Sequence, residues 1–266
     1  MGDDISETID AFHRGRFHII QPKGRGHRAG MDAMLLASLV ADDRACRIAD
    51  LGAGAGAAGM AVAARLEKAE VTLYERSPEM AEFARRSLRL PENAAFSARV
   101  GVREADVTLR AKTRVEAGLP DGHFHHVIMN PPYNDAGDRR TPDALKAEAH
   151  AMTENLFEDW IRTAGAIMVS GGQLSLISRP QSVAEIIAAC GSRFGGIEIT
   201  LIHPRPGEDA VRMLVTAIKG SRARLSFRAP LIMHETGSHA FTPFVDDLNN
   251  GRAAYLRNVR AIRTAS

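Results

Sequence analysis

Asn130-Pro131-Pro132-Tyr133 follows the apolar segment Val127-Ile128-Met129 and so sits where a buried strand ends. Two prolines can neither continue a helix nor donate to a sheet ladder, and the chain leaves the sheet as a stiff, pre-set loop. On that mount Asn130 offers a side-chain oxygen, Pro131 a carbonyl with no competing donor beside it, and Tyr133 an aromatic ring. Together they suit a planar amine, whose hydrogens two acceptors hold and whose ring the tyrosine stacks on. The same four residues also describe a plain strand-ending turn, and the motif alone does not separate the two readings.

A second constellation lies upstream. Asp50-Leu51-Gly52-Ala53-Gly54-Ala55-Gly56 closes the apolar run that starts at Cys46, and a helix is expected from Ala57 to Leu66. In such a strand, glycine loop and helix, the glycines let the backbone approach a ligand while the helix start presents free amides to it. Glu75 ends the next apolar stretch, Val71 to Tyr74, about twenty residues past the glycines, the spacing at which an acid reaches ribose hydroxyls. Gly54 to Gly59 also fits the dinucleotide fingerprint. Asp50 just ahead of the loop would repel a pyrophosphate, however, and a dinucleotide site has no use for the Asn130 loop.

In this order the elements resemble the Rossmann-like methyltransferases that use S-adenosylmethionine. That resemblance implies an α/β fold with a seven-stranded, mostly parallel sheet, an antiparallel last strand and helices on both faces. It also implies that Asp50, Gly52, Ala53 and Gly54 hold the methionine part of the cofactor, Glu75 and the adjoining Arg76 the ribose, and Asp106 and the adjoining Val107 the adenine. Asn130, Pro131, Pro132 and Tyr133 are the implied catalytic loop, with Asn130 also at the cofactor. Finer features are similar to the bacterial tRNA(Val) adenine-N6 methyltransferase family: the segment Gln21 to Ala37, His203-Pro204-Arg205-Pro206-Gly207, and Met233-His234-Glu235. That likeness implies methyl transfer to the exocyclic amine of adenine in RNA, with tRNA as the RNA class. It brings Asp32 towards the cofactor, although a helix-capping role serves that residue equally well. Asn134 departs from relatives that often carry an aromatic or apolar residue there, which bears on the substrate position.

Two rivals stay in view. Protein glutamine N-methyltransferases use the same loop because a glutamine amide is also a planar nitrogen, but they usually carry a helical domain first, and only about 45 residues precede the first strand here. A non-catalytic nucleotide-binding module is the other, against which the intact Asn130 and Tyr133 argue.

The elements that must position these residues follow from the apolar pattern. Strands are expected at 46–51, 71–75, about 98–103, up to Met129, at 173–177, 197–203 and 210–218; helices at 31–40, 57–66, 78–90, 146–168 and 180–190, with Gly171-Gly172 as a turn. Residues 1–29 read as an N-terminal arm, 30–235 as the enzyme domain, and 236–266 as an extension in which Tyr255, Leu256, Val259 and Ile262 fall at helical spacing. The 266 residues suffice for one well-buried core. No apolar run is long enough to span a bilayer and the start is acidic, which gives the cytoplasm as the expected location and no membrane partner.

Cys46 and Cys190 form no disulfide framework and sit in no arrangement for covalent attack on a pyrimidine. His123-Phe124-His125-His126 invites a metal, yet on an extended segment His123 and His125 share a face and His126 takes the other, so no metal is expected. Net charge is only +2, but Arg14, Arg16, Lys23, Arg25 and Arg28 cluster near one end and Arg252, Arg257, Arg260 and Arg263 near the other. These runs fit a nucleic-acid footprint or a solvated surface.

Overall fold

The computed structural model describes residues 7–23, 29–42, 44–132 and 156–258. Its centre is a nine-stranded sheet, made of β3 (Cys46–Leu51), β4 (Ala69–Glu75), β5 (Val100–Glu104), β6 (Phe124–Met129), β7 (Met168–Ser178), β8 (Phe194–His203), β9 (Arg212–Lys219), β10 (Ser226–Phe227) and β11 (Leu231–Ile232). From one edge the order is β10, β8, β9, β7, β6, β3, β4, β5, with β11 also on β8. All neighbours are parallel except β9, which is antiparallel to both β7 and β8. The seven expected strands are present with the antiparallel one in its expected place; the two short edge strands are additional.

Alternation along β3 shows why the sheet is covered on both sides. Ile48 packs into one apolar cluster with Met34, Leu36 and Met60, whereas Ala49 and Leu51 belong to a second with Trp160, Ile161 and Phe157. Helices Met31–Ser38, Ala57–Arg65 and Pro78–Leu88 supply the first cluster and helices Leu156–Ile167 and Val183–Cys190 the second. The Pro78 helix starts as its sequence dictates, with proline in the first turn and Ser77 Oγ accepting from the Met80 amide at 3.3 Å. Among the described residues no helix is long and apolar enough to cross a membrane.

Three expectations are corrected. Gly171-Gly172 is no turn: β7 runs through it with a register slip, Phe124 pairing with Met168 but His126 with Gln173, and Gly171 at φ 76° absorbs the irregularity. The arm is a hairpin, β1 (Glu7–Phe12) and β2 (Phe17–Pro22), docked on the body. Phe17, Ile19 and Ile20 are buried, and the outer edge of β2 is taken up when the Ile20 amide donates to Ser87 Oγ and the His18 amide to Asn93 Oδ1, both at 2.9 Å. The helical spacing read from Tyr255 onward is not realised over 251–258, which is irregular; the helix of that region is Pro243–Asn249, and Val259 to Ile262 lie outside the described residues.

A docked hairpin has an energetic signature that a loose arm lacks. Phe17 is fully buried, stacked on Phe12 at 5.4 Å and edge-on to Phe96 at 6.3 Å. Phe17→Ala should cost roughly 3–5 kcal/mol in chemical denaturation, because it opens a cavity as well as losing transfer energy; an unchanged midpoint would mean the hairpin does not belong to the folded body.

Candidate active site

Strand register places the chemistry in one row. Leu51 pairs with Met129 on one side and Tyr74 on the other, so the next residues, Gly52, Asn130 and Glu75, stand together at the carboxyl edge of β3, β6 and β4. Glu75 in turn pairs with Glu104, two residues before Asp106. The chain passes from β3 to β4 and β5 and then returns to β6 on the far side of β3, which makes this edge the topological switch point where open α/β sheets bind ligands.

Asp50 anchors the row. It is 2% exposed, and its Oδ2 accepts the Gly59 amide at 2.8 Å, tying the strand end to the first turn of the following helix, where a negative charge also suits the helix dipole. Burial pushes its carboxyl up to about 7, against the stabilising Gly59 bond and reinforced by the charge of Glu75. Glu75 shapes the loop from the other side: Oε2 accepts the Gly54 amide at 2.8 Å and Oε1 the Ser77 amide at 2.7 Å. Each carboxylate oxygen has a further lone pair, so a ribose hydroxyl is still accommodated. Asp106 Oδ1 accepts the backbone amide and the hydroxyl of Thr108, both at 2.8 Å, which fixes the turn that presents Asp106 and Val107. Arg76 is exposed beside Glu75.

Trp160, the chain's single tryptophan, was not singled out in the sequence, and it completes this floor. A Cβ on Gly52, whose φ is 68°, would lie 2.3 Å from the Trp160 ring, so loop and indole are in direct contact and only glycine fits. The same helix grips the turn after β5: Thr163 Oγ1 donates to the Val107 carbonyl at 2.7 Å and the Arg162 guanidinium to the Thr108 carbonyl at 3.1 Å. By contrast a Cβ on Gly54 would meet only the tip of Met80 at 3.8 Å, so the loop is open there. The signal available in the sequence was a lone tryptophan in the helix that follows the proline loop.

Other expected residues have different surroundings. Asp32 lies in the first helical turn, but Gly30 is the cap, and Arg212 Nε donates to Asp32 Oδ2 at 2.8 Å. Asn130 is half-buried, Pro131 buried and Pro132 exposed, while Tyr133 and Asn134 fall outside the described residues. Among the described residues, three cations of the two ends are committed to the protein itself. Arg14 and Arg252 pair with Asp246 at 2.9 and 2.5 Å, and Arg257, 11% exposed, bonds the Gly196 carbonyl and Thr216 and lies 3.6 Å from Glu198. Arg25, Arg28, Arg260 and Arg263 lie outside the described residues. His126, set aside as facing away, is the histidine that meets other possible ligands, Asp42 and Cys46; His125 Nδ1 instead accepts the Arg47 amide at 3.0 Å.

The profile of the methyltransferase small domain matches residues 28–200, more than half of the chain. The chain belongs to that family. This methyltransferase uses S-adenosylmethionine, and its residues fit that cofactor: an open glycine loop at Gly54, a buried carboxylate at Asp50 and an acceptor at Glu75. It is 26% identical over 208 residues to a tRNA1(Val) (adenine(37)-N6)-methyltransferase of Pedobacter heparinus, covering 77% of this chain and 83% of that protein. Over 151 residues it is 32% identical to a release factor glutamine methyltransferase of Deinococcus radiodurans, covering 53% of this chain and 49% of that one. A crystal structure described as a predicted O-methyltransferase from Agrobacterium tumefaciens is 85% identical, with a TM-score of 0.76 over 86% of this chain and all of that one.

Two glycines of the loop should respond differently to one methyl group. Gly52→Ala meets both a left-handed backbone and the indole, so the methyltransferase should lose roughly 2–4 kcal/mol of stability, while Gly54→Ala pays mainly the backbone term, about 1–2 kcal/mol. Denaturation followed by Trp160 fluorescence reads both; equal costs would refute the contact.

Asp50 makes stability depend on pH in a definite direction. Its carboxyl is raised from 3.8 to about 7 on folding, so the folded state holds an extra proton between those values and stability falls as pH rises through that window. Asp50→Asn keeps an acceptor for Gly59 and removes the titration. The variant should therefore lose less stability between pH 4 and pH 7 than the parent, measured by denaturation without cofactor; identical slopes would contradict the burial of that charge.

Proposed function

We propose that this enzyme methylates the exocyclic amine of adenine in RNA, with tRNA as the RNA class. The observation that carries the reading is the register that sets Asn130 beside Gly52 at the switch point, an acceptor-bearing proline loop next to a cofactor loop. When bound, S-adenosylmethionine would supply the methyl group from its sulfonium and leave as S-adenosylhomocysteine, and the proton shed by the methylated amine, acidic once its nitrogen is cationic, would pass to water.

An exocyclic amine is a poor nucleophile because its lone pair is delocalised into the purine. In this reading Asn130 Oδ1 and the Pro131 carbonyl accept its two hydrogens and draw the lone pair out of the ring. A loop stiffened by Pro131 and Pro132 relaxes little, and such preorganised partners are what lower a barrier. Tyr133 would stack on the base, Glu75 and Asp106 would hold the ribose and adenine of the cofactor, and Asp50 would offset the positive charge of its methionine end. The adenine must be turned out of folded RNA first, at a cost of a few kcal/mol.

One observation favours RNA over a glutamine side chain. Likeness to the Pedobacter tRNA enzyme extends over 83% of that protein, whereas likeness to the glutamine enzyme stops at 49%. A hydroxyl acceptor, as the Agrobacterium description would have it, must surrender its proton to attack; the Asn130 loop supplies neutral oxygen acceptors instead of a base.

Asn130→Ala should leave cofactor affinity nearly unchanged and lower kcat by roughly a hundredfold or more, the scale on which a preorganised partner acts. Labelled methyl incorporation into unmodified tRNA, a protein extract and small hydroxyl compounds decides the acceptor. Label in protein or hydroxyl compounds with none in tRNA would sink the adenine reading, and full activity of the variant would sink the mechanism.

A further inference from the structure

Three donor side chains of different chemistry converge at the edge of the sheet opposite the active site. Asp42 lies beyond the Met31–Ser38 helix, Cys46 opens β3 and His126 lies in β6, and one ligand atom of each is within 4.8 Å of the others. Cys46 is 3% exposed. His126 Nε2 is 3.5 Å from Asp42 Oδ2, and its Nδ1 is buried with no hydrogen-bond partner among the described residues. At a rise of about 3.3 Å per residue, the length of β3 separates this cluster from Gly52 by roughly 17–20 Å, so the catalytic loops do not account for it.

We infer that Asp42, Cys46 and His126 form a site for a divalent cation of the zinc type, completed by water. The donor set selects the metal. A thiolate, an imidazole and a carboxylate suit a borderline ion such as zinc, whereas magnesium and calcium take oxygen ligands. Tetrahedral bonds of about 2.0–2.3 Å place ligand atoms roughly 3.3–3.8 Å apart; the His126–Asp42 side already has that length at 3.5 Å, and the sides to Cys46 are at most 4.8 Å. The group that must yield is Arg44, whose guanidinium now donates to both oxygens of Asp42, at 3.0 and 3.1 Å. Asp42 and Arg44 both lie outside regular helix and strand, where such a change is local. A bound cation then fastens the exit of the first helix to two central strands of the sheet. Its role is to stabilise the base of the fold, and it binds the folded protein in preference to the unfolded chain.

Cobalt(II) is the direct probe, because a cobalt–thiolate bond produces a sulfur-to-metal charge-transfer absorption that histidine and carboxylate ligands do not. Titration of the full chain should saturate at one cobalt per chain with that absorption, zinc should displace it, and the midpoint of thermal unfolding should rise with added zinc. Cys46→Ser should abolish the absorption, and His126→Gln should weaken binding at least tenfold. Arg44→Ala, which removes the guanidinium from Asp42 and keeps the backbone amide on its Oδ1, should tighten binding severalfold, a direction that damage to the fold would not produce. Cofactor affinity, unchanged across the set, serves as the control for folding. Absence of saturable binding, an absorption that survives Cys46→Ser, or weaker binding in Arg44→Ala would each overturn the site.

Discussion

A buried carboxylate bonded to one backbone amide is what the rest of the site depends on. Asp50 leaves the sheet with its Oδ2 on the Gly59 amide, and this contact decides where the following helix begins relative to β3. Once that junction is fixed, residues 52–56 must make the turn in little space, and Gly52, Gly54 and Gly56 all adopt positive φ to do so. The arrangement is costly, since an ionised group without water is destabilised unless its bonds replace hydration. A single amide does so incompletely, which is why the carboxyl is raised to about 7. In the proposed reading a positively charged ligand over this loop would offset that cost, so what is unfavourable for the protein alone would favour a sulfonium cofactor.

Rigidity spreads from the junction through helix Leu156–Ile167. Trp160 presses on Gly52 while Thr163 and Arg162 hold the carbonyls of Val107 and Thr108, so one helix braces both the glycine loop after β3 and the turn after β5. The alternative to such bracing is loops whose ordering must be paid for on ligand binding. This bracing also suits tryptophan where the helix meets the sheet: a broad flat side chain covers a turn whose own side chains are at most methyl groups.

What was legible in the sequence and what was not divide along physical lines. The bounds 46–51 and 57–65 follow closely from an apolar run, a glycine loop and an alanine-rich segment, because both elements are set by local pattern and local backbone freedom. Asp50, Glu75 and Asp106 were legible as strand ends, and strand ends are what sequence periodicity marks best. The docking of the N-terminal hairpin was hidden, since its anchors are Ser87 and Asn93, some 70 residues away, and a hydrogen bond of that range leaves no periodicity. The commitment of Arg14, Arg252 and Arg257 to internal partners was hidden for the same reason: clustering of cations along the chain says nothing of the carboxylates and carbonyls brought to them by folding. Gly171-Gly172 misled because two glycines permit a turn and a bulge equally well, and only the neighbouring strand decides between them.

The likeness to both a tRNA adenine enzyme and a glutamine enzyme has a physical origin in what the proline loop can sense. Adenine's exocyclic amine and a glutamine amide each present two hydrogens on a planar nitrogen conjugated to an unsaturated carbon. Two acceptors on a stiff loop recognise that nitrogen and cannot recognise what carries it. The choice between a nucleobase and a peptide must therefore be made elsewhere, by groups that meet phosphate or peptide backbone away from the reacting atom.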